Sequence, residues 1–324
     1  MALVYLLSLA EEDSRDGSWS RSAYRILKES AALGQSRHRL TDNPYDADII
    51  LFAELTAAEP YCERILRHPL VQQLREKCFL FNAGDRPIAF LPGVYASIEK
   101  RWYFPSRVRT GFYLSDSTNP YLDFSSHAGN QHYLYSFMGS IDNHPVRRAI
   151  ANLDASGSYC EDTSGTVEQT FRSGDKAALD SFYKRYAEVL EASDFVLCPR
   201  GVGVGSVRLF EAMRAARVPV IISDDWVEPE GPEWSTFSVR IRESAVQTIP
   251  DCLKSLRPEV GSMGKKARAA WEKYFSPQAS FHTTVEACLS ILRSRKIPER
   301  WSYPLMYLQL FRPHHWRHYL RTRF

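Results

Sequence analysis

SDFVLCPRGVGVGSVRLFEAMRAARVPVIISDD, residues Ser193 to Asp225, holds in 33 residues a strand, a glycine loop, a helix and a second strand. Phe195 to Cys198 is a short apolar run that stops at Pro199 and at Gly201, Gly203 and Gly205. From Ser206 the apolar residues recur at helical spacing, through Val207, Phe210 and Met213, so the chain turns from strand to helix at the glycines. Val218 to Ile222 is apolar throughout and mostly β-branched, the pattern of a strand covered on both faces of a parallel sheet. The stretch therefore predicts a βαβ unit with glycines at its first turn, and hence an α/β fold.

Such a turn suits an anion. Glycines let backbone N–H groups come close to a ligand, and a helix N-terminus adds the positive end of its dipole. Arg200 stands at the end of the first strand and Arg208 one turn or less into the helix, so two guanidiniums are expected to flank the same phosphate. Ser206 is the expected N-cap, its hydroxyl capping the helix or bonding a phosphate oxygen. Glu211, three residues after Arg208 on the same face, suits a ribose diol. A glycine-rich turn with a surface Arg–Glu pair accounts for the same residues without any ligand.

The strings CPRG (Cys198–Gly201), GSVRLFEA (Gly205–Ala212) and VPVIISDDW (Val218–Trp226) resemble the signature of the exostosin-like glycosyltransferases. YSFMG, Tyr135 to Gly139, resembles that family's aromatic strand at the start of the nucleotide-binding half, and the likeness runs on through Trp226 and Trp234 to about Glu243. The resemblance implies an inverting transferase that uses a nucleotide sugar, with two Rossmann-like domains facing a cleft in the GT-B manner. It implies donor contacts from Gly139, Arg147, Arg200, Gly201, Gly205, Ser206, Val207, Arg208 and Glu211. It makes UDP-sugars the expected donors, with GDP left open, and a saccharide or lipid-linked saccharide the expected acceptor.

The rest of the chain fits that frame. At 324 residues it has length for two domains, and a formal charge of +3 does not argue for nucleic acid. The six cysteines are scattered without CxxC pairs, which points to a reduced, cytoplasmic setting. Ala2 to Leu9 is apolar from the outset but lacks a basic leader and is too short to span a bilayer, so it is read as the first strand and the chain as a catalytic unit without an anchor.

Further elements are expected as helices over 22–33, 59–77, 144–152, 178–193, 259–274 and 279–295, and as strands over 48–52, 78–81, 133–138 and 239–243. Three domain segments follow: an acceptor-binding Rossmann-like domain over 1–132, a donor-binding one over 133–300, and an aromatic, basic segment over 301–324. That last segment either packs back on the first domain or rests on an anionic membrane surface. Asp46 and Asp48 form a D-x-D that precedes its strand and reads as a turn, not a metal site. GDRPIAF, Gly84 to Phe90, resembles a shortened form of a family loop without its histidine. Asp85 there either closes a turn or serves the acceptor, with Arg86 beside it. Trp102, in the cluster Arg101 to Pro105, is either core or a platform for an acceptor sugar.

Transfer from a sugar diphosphate develops negative charge on the leaving phosphate, which Arg200, Arg208 and the helix end would neutralise without a metal or cofactor. A general base must take the acceptor proton, and Asp85, Asp225 and Asp224 are the candidates. A nucleotide-sugar epimerase would want an N-terminal GxGxxG loop with a Tyr-x-x-x-Lys pair, and the Tyr-x-x-x-Lys-like strings here lie away from any N-terminal glycine loop. A catalytically silent sugar- or nucleotide-binding module remains the other reading.

Overall fold

The computed structural model describes residues 1–10, 21–54, 61–114, 119–122, 132–153, 156–165, 174–313 and 315–316. The expected loop over 11–20, much of the linker over 113–132 and the tail beyond 316 lie outside them. In chain order the strands and helices are β1 (Leu3–Leu7), α1 (Ser22–Ala32), β2 (Arg39–Leu40), β3 (Ile49–Glu54), α2 (Glu63–Leu66), α3 (Pro69–Leu74), β4 (Cys78–Asn82), β5 (Gly93–Tyr95) and β6 (Val108–Thr110). They continue as β7 (Tyr133–Gly139), α4 (Pro145–Ala151), β8 (Tyr159–Asp162), α5 (Lys176–Glu191), β9 (Ser193–Pro199), α6 (Val207–Arg214), β10 (Val218–Ile222) and β11 (Val239–Arg240). Helices α7 (Ile249–Leu256), α8 (Val260–Ala270), α9 (Ser280–Ser294) and α10 (Glu299–Ser302) follow, and a 3-10 segment runs from Tyr303 to Phe311. The fold is α/β, with two separate sheets whose strand pairs are all parallel.

One compact unit comprises 1–116 and 277–324, the other 117–276. In the first the strand order is β2-β1-β3-β4-β5-β6. All six residues of β3 and all five of β4 are buried, as central strands covered on both faces must be. The D-x-D is a turn here: Asp46 accepts from the Asn43 amide at 2.8 Å, and Asp48 from the Leu3 N–H at 2.8 Å.

The sequence-based division at 132/133 and 300/301 is not the one the contacts make. Helix α9, expected with the second domain, belongs to the first unit, because Ser30 of α1 donates to the Gln278 carbonyl at 2.7 Å and accepts from the Phe281 N–H at 3.1 Å. The segment after it stays on the same unit. Met306 is buried with Ile88 and Phe90, and Arg107 donates to Glu299 where both side chains are almost wholly enclosed.

Glu54, at the carboxyl end of β3, is buried and accepts from the Leu9 N–H, and loss of water pushes its carboxyl up from 4.5 to about 7. Because the folded value lies above the unfolded one, the native state holds the extra proton between these values. The stability this confers is complete below about pH 4.5 and is lost as pH rises through about 7. Glu54→Gln is therefore expected to raise the melting temperature at pH 8 relative to the native sequence, with the gain shrinking toward pH 5; a gain that grows on acidification would contradict the assignment.

The second unit orders its strands β11-β10-β9-β7-β8. Its centre is the predicted βαβ unit: β9 and β10 lie side by side, with Leu197 opposite Val220, and α6 connects them. Phe137, Phe195, Leu197, Val220 and Ile222 form a core with Ile150 of α4 and Ile249 and Leu253 of α7. The carboxyl ends of β7, β9, β10 and β11 are thereby brought along one edge of this sheet, where α/β folds place ligands. All six cysteines are free thiols, and burial pushes Cys198 at the end of β9 up to about 12. Among the described residues no helix is long and apolar enough to cross a membrane.

Candidate functional site

At the carboxyl end of β9 the chain leaves the sheet at Arg200, whose N–H still donates to the Ile222 carbonyl of β10 at 3.0 Å. The following loop, 201–205, leads into α6 through Ser206, which has the extended backbone of an N-cap but whose hydroxyl makes no capping hydrogen bond. Of the two roles expected for that hydroxyl, capping is not used. The apolar side chains Val202 and Val207 face solvent on either side of the turn.

The two glycines nearest the arginines make room for side chains. A Cβ on Gly201 would stand 2.9 Å from Nη2 of Arg147, and one on Gly139 would stand 2.6 Å from Nη2 of Arg208. Arg147, on α4, donates from Nε to the Arg200 carbonyl at 2.8 Å, from Nη1 to the Ser140 carbonyl at 3.0 Å and from Nη2 to the Pro199 carbonyl at 3.3 Å. It ties the ends of β7 and β9 together. Arg208 donates to the Met138 carbonyl at 2.6 Å with its guanidinium 5.0 Å from the Phe137 ring centre. Both arginines thus carry positive charge to the strand ends and bond backbone carbonyls there, Arg208 with the Tyr186 hydroxyl and Glu211 close by.

Arg200 is held differently. Its Nη1 lies 3.6 Å from Asp225 and 3.8 Å from Glu243, both beyond hydrogen-bond length, and its Nε has no acceptor among the described residues. The side chain is only 15% exposed, so this is a largely enclosed cation without a tight partner. Glu243 and Asp224 lock each other: the Asp224 N–H donates to Glu243 at 3.0 Å, and the Glu243 N–H to Asp224 at 3.2 Å. Asp225 is half-exposed beside Arg200. The loop after β10 is pinned by Arg240, which donates to the carbonyls of Ser223 at 2.9 Å and Trp226 at 2.7 Å.

Glu211 does not lie open to a diol, because the Tyr186 hydroxyl donates to it at 2.6 Å and burial raises its carboxyl above the ordinary range. His144, the N-cap of α4, accepts from the Val146 N–H at 3.3 Å and lies 3.9 Å from Glu243. Burial and the neighbouring Arg200 lower its pKa, so it is neutral at neutral pH. Sequence reasoning missed Glu243, His144 and Tyr186 as members of this cluster. One signal was available: in a parallel sheet consecutive strand ends are neighbours, which sets an acid just after β11 beside the acids after β10.

The remaining predicted residues belong to the other unit. Asp85 and Arg86 are exposed on the turn after β4, where the Gly84 N–H donates to Asn82 at 2.6 Å. Asp85 lies close enough to Tyr113 to help raise that buried phenol's pKa, after burial itself. Trp102 packs against the first unit's core with the Arg312 guanidinium 5.8 Å from its ring, which favours the core reading over the sugar platform.

The described residues that come together as metal ligands do, His38, His282 and Glu286, also lie in the first unit. They are already committed. The Ala2 N–H donates to Nδ1 of His38 at 3.1 Å, so the ring proton sits on Nε2 and goes to Glu286 at 2.9 Å, leaving no lone pair for an ion.

The glycine loop, the three arginines and the acids after β10 all fall within the part of the chain that matches a known domain. Residues 116–256 match the Exostosin GT47 domain. Exostosin-1a of Danio rerio is 34% identical to this chain over 128 residues, which are 39% of this chain and 17% of that protein. The Exostosin-1 homolog of Caenorhabditis elegans is 37% identical over 92 residues, 28% of this chain and 24% of its own length. The chain thus spans less than a quarter of the length of these exostosin relatives. Among solved structures, a glycosyltransferase from Rickettsia africae has a TM-score of 0.43 at 11% identity, covering 90% of this chain and 98% of that one. Anabaena HepE, solved in complex with UDP, has a TM-score of 0.37 at 10% identity, covering 90% of this chain and all of that one. The exostosin GT47 match ends with the last residue of α7, so it contains every strand of the second sheet and neither α8 nor α9.

Proposed function

We propose that this protein is an inverting glycosyltransferase whose exostosin GT47 stretch binds the diphosphate of a UDP-sugar at the carboxyl ends of β7 and β9. The observation that carries this reading is Arg200: an enclosed guanidinium with an uncommitted Nε, at a glycine loop whose following helix has no side-chain cap. A diphosphate there would take hydrogen bonds from Arg200 and from the first N–H groups of α6, and would sit in the field of Arg147 and Arg208. Arg147, Arg208 and the N–H groups of α6 are held in place before substrate arrives, and Arg200 completes the set around the oxygen on which charge grows as the sugar leaves, which is the electrostatic requirement of the step.

The acceptor is a saccharide, free or lipid-linked, and its hydroxyl proton goes to a carboxylate. Asp225 is the better placed of the acids after β10, since Asp224 is engaged with the Glu243 backbone. Asp85 of the first unit is the other candidate. The chemistry asked of the arginines is that which a divalent ion performs elsewhere, so transfer is expected to persist in EDTA.

A panel of nucleotide sugars tests this by thermal shift. One UDP-sugar should raise the melting temperature, since ligand at about 100 times its Kd adds about 2.7 kcal/mol to the folded state. With that donor and an accepted saccharide, the product should carry the anomeric configuration opposite to the donor's. Stabilisation by a UDP-sugar without release of UDP from it in the presence of any acceptor would instead make this a binding module, and no stabilisation by any nucleotide sugar would remove the donor site.

A further inference from the structure

The segment from Lys296 to Trp316 turns its large apolar residues outward. Trp301 is 67% exposed, Leu305 58%, Leu308 56% and Phe311 71%, a succession spaced four, three and three residues apart along α10 and the 3-10 segment. Ile297 and Trp316 extend it at either end, with Trp316 stacked on Phe311 at 6.1 Å. The opposite side of the same segment is anchored: Glu299, Met306 and Gln309 are buried, and the Arg75 guanidinium lies 3.6 Å from the Tyr303 ring centre. Burial of the inward side leaves this outward strip as a contiguous apolar surface, the kind that marks an interaction site.

Beside the strip lies a surface pocket of about 730 Å³ whose lining includes Arg75, Arg295, Lys296, Ile297 and Arg300. Nε and Nη2 of Arg75, and Nε and Nη2 of Arg295, are buried and have no acceptor among the described residues. Glu76, the acid in the pocket, is spent on Arg295 at 3.2 Å and on the Glu299 N–H at 2.9 Å. Between 293 and 324 the sequence has eight lysines and arginines against one acid, the buried Glu299. Exposed cations, Lys296 and Arg300, backed by the guanidiniums of Arg75 and Arg295 and flanked by outward tryptophan, leucine and phenylalanine, match the layers of a lipid interface: phosphate outside, acyl chains within.

The geometry points to this face as a docking surface for an anionic phospholipid bilayer. The pocket takes headgroup phosphates and the strip from Trp301 to Phe311 enters the acyl boundary. This is independent of which donor sugar the other unit uses. A protein partner is the less suited occupant, because so predominantly basic a rim, with Lys296 and Arg300 exposed on it, asks for a dense field of anions.

Flotation of the full chain with vesicles tests the assignment. Vesicles of phosphatidylcholine containing phosphatidylglycerol should carry the protein, those of phosphatidylcholine alone much less. The variant Trp301→Ser/Leu305→Ser/Phe311→Ser should lower the partition by about tenfold or more, and Lys296→Glu/Arg300→Glu by about tenfold or more with loss of its salt dependence. All five side chains are exposed, so the melting temperature and circular dichroism should not change. Failure of the native chain to float with anionic vesicles, or flotation of the triple variant at the native level, overturns the proposal. A concentration-dependent dimer that the triple variant abolishes, with no vesicle binding by the native chain, also overturns it and gives the face to a second copy.

Discussion

Arg200→Ala should lower the turnover of nucleotide sugar by a factor on the order of 100 to 1,000 while leaving the protein folded. The magnitude is that of removing one fixed donor from the place where charge develops. The fold should survive because Arg200 makes no tight side-chain bond: its carboxylate neighbours are 3.6 and 3.8 Å away, and the segments they belong to, after β10 and after β11, are held by Asp224, Glu243 and Arg240. The comparison with Arg147 sharpens the test. Arg147 binds three carbonyls at the ends of β7 and β9, so its removal should lower stability together with activity. Turnover of nucleotide sugar, measured by UDP release, with urea unfolding alongside, separates the two. If Arg200→Ala and Arg147→Ala lose stability equally, Arg200 is a structural residue.

Glu299→Ala should destabilise the 1–116 and 277–324 unit by about 3–5 kcal/mol, the cost of breaking an enclosed ion pair from one side. Glu299 has no exposed side-chain surface and Arg107 has 5%. Besides Glu299, the Arg107 guanidinium bonds the Ser302 hydroxyl at 2.8 Å and the Ala89 carbonyl at 3.0 Å, neutral groups that cannot replace the lost charge. Urea unfolding of Glu299→Ala, and of Arg107→Met/Glu299→Leu, checks this. The double variant should recover most of the loss, since two apolar side chains leave no buried charge uncompensated. A single variant as stable as the native chain would show that the C-terminal segment is not held through this pair.

The sequence exposed the second sheet more fully than the first, for a physical reason. β9, the glycine loop, α6 and β10 are consecutive and each carries its own period, so local pattern suffices to draw them. β5, three residues from Gly93, and β6, three from Val108, are too short for a period, and Leu91 to Tyr95 reads as a turn until the pairing with β4 is seen. The helix expected over 59–77, with Pro69 read as breaking or kinking it, is indeed interrupted there: His68 caps a new helix starting at Pro69. The position of α9 rests on contacts with α1 some 250 residues earlier, through Ser30, and no local pattern announces a contact of that range.

Residue type and spacing placed Arg200 at the end of β9, Arg208 in the first turn of α6 and Asp224 and Asp225 after β10, and these elements carry them there. What they bond was not legible. Arg208 and Arg147 turn to backbone carbonyls, and Glu211 to the Tyr186 hydroxyl, because each partner lies on a different element. The glycines at 139 and 201 read as room for a ligand; the space at each is filled by a guanidinium.

A crystal of the protein grown with UDP measures the central claim directly. The account predicts the diphosphate at the carboxyl end of β9, with an oxygen in hydrogen-bond range of Arg200 and others facing the N–H groups of Val207 and Arg208. A nucleotide bound elsewhere, with Arg200 drawn fully onto Asp225 and Glu243 and the turn before Ser206 empty, would contradict it.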